Sequence, residues 1–460
     1  MVSPDMEKLK EIKGMIGLEI HVYLVTIEKL FCRCKASREK GQKENIFICP
    51  ICTGQPGAKP MVPNKCALEQ AVRLGLMLNC KINSRLKWQR KHYDWPDMPK
   101  GYQNTLSGKH AIPVGENGKF LGITISSMHL EEDPASWDPV SGHVDYNRSG
   151  LPLVEIITEP EFSTAEEVTN WLQKLVRYMS YLKAADSNAG IKVDVNVNIP
   201  GKTERVEIKN MNSIVAIGEG INYELLRQNE EGVSQKETRR YDVVKGKSVK
   251  MRDKSDEDDY RFIRDPDLVD IVIDENFVSR LRKSLPENPE EKLTKLKKKY
   301  RLDAYSAEVL AKNIDLVEFF ESVAEKIDAK FALSWVTIEL LRLLNSNKKK
   351  LDEIDLKVEH FVSLLKLVKD GKITELQGKK ILKEFYPKSF MPEDVKGKIS
   401  DVNELKKIIL EVINENKKAV EDYKSGESKS FDFLMGCIMK KSDRRADFKV
   451  AREVLSKFLG

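Results

Sequence analysis

Met15-Ile-Gly-Leu-Glu-Ile-His-Val-Tyr-Leu-Val25 alternates apolar and polar side chains with a period of two. Leu18, Ile20, Val22 and Leu24 take one face of a strand, and Glu19, His21 and Tyr23 take the other. Lys192-Val-Asp-Val-Asn-Val-Asn-Ile199 repeats the pattern, with Val193, Val195, Val197 and Ile199 opposed by Asp194, Asn196 and Asn198. Val206 and Ile208 alternate in the same way with Glu207 and Lys209. An antiparallel sheet with one buried face accounts for the alternation. It does not account for an open face of carboxylates, imidazole and amides with so few ordinary surface residues such as Thr or Gln.

Two further segments add acids to that face. His129-Leu-Glu-Glu-Asp133 ends an alternating run that begins at Ile123, and three adjacent acids repel unless solvent or a cation balances them. Leu151-Pro-Leu-Val-Glu-Ile-Ile-Thr158 is nearly all apolar around Glu155, whose burial calls for Arg, Lys or a metal ion. An ion pair with Arg148 or Lys192 is the plain alternative. His21, Glu132 and Glu155, with Glu19, Asp194 and Glu207 nearby, are expected to form an oxygen-rich site suited to Mg²⁺ beside nucleotide phosphates. The chain has neither a Walker A motif nor a kinase-type Gly-rich loop, so an ATP site must be of another design.

Cys32-Arg-Cys34 and Cys49-Pro-Ile-Cys52 are two close pairs, each able to make a thiolate corner of a tetrahedral Zn²⁺ site. Four ligands leave no open position, so such a site is structural. A disulfide pair or free thiols are the alternatives, and Cys66 and Cys80 are expected in the core. Helices are expected after the N-cap Asn64 and after Ser163-Thr-Ala-Glu166, which has the form of a capping box. The second carries a stripe of Val168, Trp171, Leu172, Leu175, Val176, Met179 and Leu182.

The chain has 460 residues, 41% hydrophobic and 33% charged, the mix of a globular protein of several domains. No apolar run approaches the roughly 20 residues of a membrane span, and Met1–Lys13 reads as neither a secretory signal nor an Arg-rich transit peptide. A secreted or membrane-spanning protein is excluded on this reading, and a cytoplasmic one is expected. A formal charge of +6 permits a nucleic-acid partner without demanding one. Nineteen of the 25 glycines precede residue 276, so strands and turns are expected first and helices after them. Domains are expected over 1–285, 286–330 and 331–460. Near the end, Phe431-Asp-Phe-Leu-Met-Gly-Cys-Ile-Met439 runs into Lys440-Lys-Ser-Asp-Arg-Arg445, either a bundle helix with a charged exit or a nucleic-acid contact.

Gly17-Leu-Glu-Ile-His-Val22, Cys49-Pro-Ile-Cys-Thr-Gly-Gln-Pro-Gly-Ala58, Arg90-Lys-His-Tyr-Asp-Trp-Pro-Asp-Met-Pro-Lys-Gly-Tyr-Gln103 and His129–Asp133 come in this order. Val144-Asp-Tyr-Asn-Arg-Ser-Gly-Leu-Pro-Leu-Val-Glu-Ile-Ile-Thr-Glu-Pro160, Asp194-Val-Asn-Val197, Glu207-Ile-Lys-Asn-Met-Asn-Ser213 and Gln235-Lys-Glu-Thr-Arg239 follow. Together they closely resemble the B subunits of the aspartyl/glutamyl-tRNA amidotransferases, from about residue 14 to the C-terminus. The resemblance implies an α+β, cradle-like N-terminal domain with a mainly antiparallel sheet and a zinc clamp, then helical linker and tail domains, the tail touching tRNA. It implies a reaction too: ATP phosphorylates the side-chain carboxylate of Glu-tRNA(Gln) or Asp-tRNA(Asn), and ammonia from a partner amidase displaces phosphate. The implied partners are the amidase, which is the family's A subunit, and its small C subunit.

By motif, His21, Glu132 and Glu155 resemble the family's Mg²⁺ ligands. Asp194 and Glu207 match acids of the same pocket, Glu19 and Glu131 lie close by, and Lys209 is inferred to face phosphate. Cys32, Cys34, Cys49 and Cys52 match the zinc-binding members. The family's usual Ala-Gly-Lys after the acidic triplet is Pro134-Ala-Ser136 here, which removes a basic residue. Ser187-Asn-Ala-Gly190 and Phe262-Ile-Arg-Asp265 also depart from the pattern. A non-catalytic tRNA-binding zinc protein derived from the family is the alternative function.

Overall fold

The computed structural model describes residues 4–39, 41–92, 95–185, 191–253, 261–392, 399 and 401–460. The Ser187–Gly190 departure lies outside them. The chain divides into two units between Asn288 and Pro289.

The first unit is built on a sheet that has twelve strands among the described residues. In chain order the ones used below are β1 (Met15–Tyr23), β2 (Gln89–His92), β3 (Tyr102–Thr105), β4 (Ile123–Glu132) and β5 (Pro152–Thr158). Then come β6 (Ile191–Asn198), β7 (Val206–Met211), β8 (Glu237–Asp242), β9 (Lys247–Asp253) and β10 (Arg261–Arg264). Their spatial order is β9-β8-β7-β6-β1-β5-β4-β3-β2-β10. The β7–β8 pair is parallel and the other neighbours along this path are antiparallel. The strand quoted first is therefore central.

Alternation decides the two faces. Leu18, Ile20, Val22, Val154, Ile156, Val193, Val195, Val197, Val206 and Ile208 are buried in one apolar core. Helices α1 (Lys65–Met77), α2 (Ala165–Leu182) and α3 (Ile214–Glu231) bury their apolar stripes in the same core. Each such aliphatic side chain contributes about 1.5–3 kcal/mol, so register slippage of β1 would be heavily penalised.

The helix starts follow local chemistry. Asn64 caps α1, its side chain accepting from Cys66 N and Ala67 N. The capping box of α2 is shifted one residue from the expected position: Thr164 accepts from Glu167 N, and Glu167 accepts from Thr164 N. Glu167 also accepts from Ser163 N at 2.7 Å, so a carboxylate with two N–H donors wins over the spacing beginning at Ser163. Cys80 is buried as expected, but Cys66 is exposed because it lies in the first turn of α1, on its outer side.

The second unit is helical. One apolar core runs from Leu293 to Phe385 and another from Ile399 to Leu459. Residue 330 falls inside the first core, where Phe319 and Phe320 join Trp335 and Val336, so no packing break occurs there. Phe431–Met439 lies in the helix Lys429–Lys441, with Leu434, Met435 and Ile438 buried.

Candidate active site

The open face of the sheet carries a cavity of about 700 Å³. Strand register assembles it. His21 on β1 stands opposite Glu155 on β5 and Lys192 on β6, while Glu19 stands opposite Asp194. Glu155 in turn stands opposite His129 on β4. His21 Nε2 lies 3.6 Å from Glu155 Oε1. Burial pushes the His21 imidazole below its ordinary value despite Glu155 and Asp194 beside it. Burial works against the charge of Glu155. Yet the His21 and His129 rings and the ammonium groups of Lys91 and Lys209 hold its carboxyl below the usual range. The imidazole and the ionised carboxylate together are a nitrogen–oxygen donor pair able to hold a divalent cation, the carboxylate being its hard ligand. His21 Nδ1 and His129 Nδ1 are buried without hydrogen-bond partners. Arg148, one of the two counter-ions considered for Glu155, reaches Asp133 instead, at 3.2 Å.

Glu132 is not on this face. It has the parity of Met128 and Leu130, which are buried under the helices, and its carboxylate accepts from Asn104 N at 2.8 Å and from Lys100 Nζ. Asn104 continues inward to Asp265, which holds Arg90 at 2.7 Å, so Glu132 belongs to a structural network. Its neighbour Glu131 has the parity of His129 and lines the cavity. Burial and the nearby Glu155 push the Glu131 carboxyl up to about 8. Of the expected trio, His21 and Glu155 line the cavity and Glu132 does not; Glu131, from the same acidic triplet, is on their face. Counting from His129 in steps of two identifies it from sequence.

Glu19, Asp194 and Glu207 converge, with a carboxylate oxygen of each within 4.8 Å of the others. Lys209 bridges two of them, 2.7 Å from Glu207 and 3.2 Å from Asp194. Burial opposes the Lys209 charge, but Asp194 and Glu207 outweigh it and raise its pKa. Glu19 accepts from Asn196 Nδ2 at 2.9 Å, and its carboxyl is raised by burial and by Glu155 and Glu207. Asp194 keeps one buried oxygen, Oδ1, without a hydrogen bond. This group sits at the middle of β1. Tyr23, about 13 Å further along the strand by the usual rise per residue, marks its end. There Asp133 meets Arg38 and Arg148. Arg38, Lys91 and Gln103 also line the cavity. Lys91 and Gln103 fall within the Arg90–Gln103 motif, from which the sequence reading takes no single residue, and Arg38 lies in no motif.

The four Sγ atoms of Cys32, Cys34, Cys49 and Cys52 lie within 4.8 Å of one another, and those of Cys49 and Cys52 are 3.9 Å apart. Zn–S bonds of about 2.3 Å separate tetrahedral sulfurs by about 3.8 Å, so the cluster fits zinc. Among the described residues every cysteine is a free thiol, which removes the disulfide alternative. The hydrogen bond it receives from Cys32 lowers the Cys52 thiol to about 5, so a thiolate forms readily.

A half-buried sheet whose polar face pairs imidazole with carboxylates and ends in guanidinium groups, beside a four-cysteine cluster that fits zinc, defines an α+β domain with a polar cavity, joined to a helical unit. The family model described as the GatB/GatE catalytic domain matches residues 14–279, and one described as the GatB domain matches residues 318–459. Proteins named as the B subunit of aspartyl/glutamyl-tRNA(Asn/Gln) amidotransferase are similar along nearly all of the chain. That of Methanocaldococcus jannaschii is 38% identical over 98% of this chain and 99% of its own. That of Methanobrevibacter smithii is 40% identical over 94% and 97%. The chain belongs to the family of aspartyl/glutamyl-tRNA amidotransferase B subunits.

Proposed function

We propose that this chain activates and amidates the side-chain carboxylate of Glu-tRNA(Gln), Asp-tRNA(Asn) or both, within a complex that includes an amidase subunit and a small third subunit. A carboxylate is a poor electrophile. Its oxygen attacks the γ-phosphorus of ATP, ADP leaves, and an acyl phosphate results. Ammonia then attacks the acyl carbon, phosphate departs with the bonding pair, and a proton is lost to give the amide. Bound Mg²⁺ supplies charge neutralisation between nucleotide and acceptor.

The chain's own residues divide this work. His21, Glu131 and Glu155 are the groups that would hold the cation, since they share the cavity face. Lys209, fixed between Asp194 and Glu207, presents a positive charge toward phosphate oxygens. Glu19, held by Asn196 on the same face, is positioned to take the proton that ammonia loses. The zinc cluster keeps the loop after β1 in place. Helical residues 289–460 would grip the tRNA, and a tRNA substrate would put the protein with the translation machinery in the cytoplasm. No described helix is long and apolar enough to cross a membrane.

The observation that carries the proposal is the register that sets His21 against Glu155 and Glu19 against Asp194 on one polar face. Incubating the assembled complex with misacylated tRNA and γ-labelled ATP tests it. Phosphate release that depends on the misacylated tRNA is expected. Binding of tRNA without such release would mean a non-catalytic tRNA-binding protein.

A further inference from the structure

Among the described residues, Arg38 is the one cavity cation contributed by the cysteine-bearing loop. It lies four residues after Cys34, and its guanidinium carbon sits 3.2 Å from the centroid of the Tyr23 ring at the end of β1. The loop's path is set by short-range hydrogen bonds, Lys29 N to Cys34 O at 3.0 Å and Ala36 N to Ile27 O at 2.9 Å, together with the thiol cluster. Arg38 Nη1 is buried with no hydrogen bond, 3.7 Å from Asp133. Asp133 offers the same oxygen, Oδ2, to Arg148 at 3.2 Å. One carboxylate oxygen facing two guanidinium groups leaves a positive charge and unused donors at this end of the cavity. Arg148 has other work, donating to Pro134 O and Ala135 O, whereas Arg38, beyond its contacts with Tyr23 and Asp133, keeps Nη1 without a hydrogen bond. A weakly hydrated planar cation, stacked on an aromatic ring and short of acceptors, is suited to a phosphate oxyanion.

We propose that Arg38 binds a phosphate group of the reactants, and that the four-cysteine loop is what positions it. The inference rests on the function proposed above, because both ATP and the 3′ end of the tRNA bring phosphate.

Equilibrium binding of Mg-ATP and of misacylated tRNA to the full chain decides the matter, with a melting curve and a zinc assay for each variant. Arg38→Ala is expected to weaken one of the two ligands at least tenfold, the usual effect of losing a charge-assisted hydrogen bond, and the ligand affected identifies the source of the phosphate. Arg38→Lys keeps the charge without the fork and should fall between. Arg33→Ala, an exposed arginine on the same loop, should leave both affinities as they were. Cys34→Ser should release zinc and weaken the same ligand, and combining it with Arg38→Ala should add little further loss. Unaltered binding of both ligands by Arg38→Ala and Arg38→Lys overturns the inference. Fully additive losses for Cys34 and Arg38 overturn the positioning role of the loop. If the unaltered chain binds neither ligand, the proposed function itself fails, and this inference with it.

Discussion

At the scale of single residues, strand parity separates two adjacent acids by a role as well as by a face. Glu131 looks into the cavity with His129, whereas Glu132 is tied to Asn104 N–H and Lys100 on the helix-covered side. Glu131→Gln is therefore expected to lower amide formation by about a hundredfold or more with an unchanged melting temperature, if metal-assisted charge stabilisation is lost. Glu132→Gln should instead lower the melting temperature, because a buried hydrogen-bonded charge is removed while its Lys100 partner stays. Thermal melts and steady-state rates on both variants check the pair, and the reverse assignment would restore Glu132 to the metal site. Glu155→Gln should abolish amide formation while leaving tRNA affinity nearly the same, as a filter-binding assay can show. Equal loss of both would contradict a role at the reacting centre.

At the scale of elements, what is legible in the sequence is what repeats locally. The period of two in Met15–Tyr23 and Lys192–Asn198 defines both faces of the sheet, because one face must enter the core and a slip of one residue would bury Glu19 and His21. Spacing alone is enough for the cysteine cluster. Taking the acids of His129–Asp133 as a block, without carrying the alternation from Ile123 through them, exchanges Glu132 for its neighbour. Arg38 carries no local pattern, and only tertiary placement brings it to the cavity. The start of α2 moves by one residue because the Glu167 carboxylate accepts from both Ser163 N and Thr164 N. Thr164→Ala should cost about 1 kcal/mol of stability, the usual value for a lost N-cap, measurable by urea unfolding. Ser163→Ala should cost much less, and an equal cost for both would return the cap to Ser163.

At the scale of the whole molecule, the division between Asn288 and Pro289 separates cores that share no buried residue. One core ends at Leu281, and the next begins at Leu293. The first unit contains every group assigned to chemistry and to the zinc clamp. The second contains the helix Lys429–Lys441 and the basic stretch through Arg445, where part of the charge is already engaged, as in the pairing of Lys441 with Glu411 and Glu415. Nucleic-acid affinity supplied by cations falls with salt in proportion to the phosphates neutralised. If the helical unit supplies most of the grip on tRNA, residues 1–288 alone should unfold cooperatively and bind Mg-ATP as the full chain does. Their affinity for misacylated tRNA should be at least tenfold lower, with a shallower dependence on salt. Filter binding of both proteins across a salt series measures the affinity and the slope together. Matching affinities and slopes would locate tRNA recognition in the sheet unit, beside the chemistry rather than apart from it.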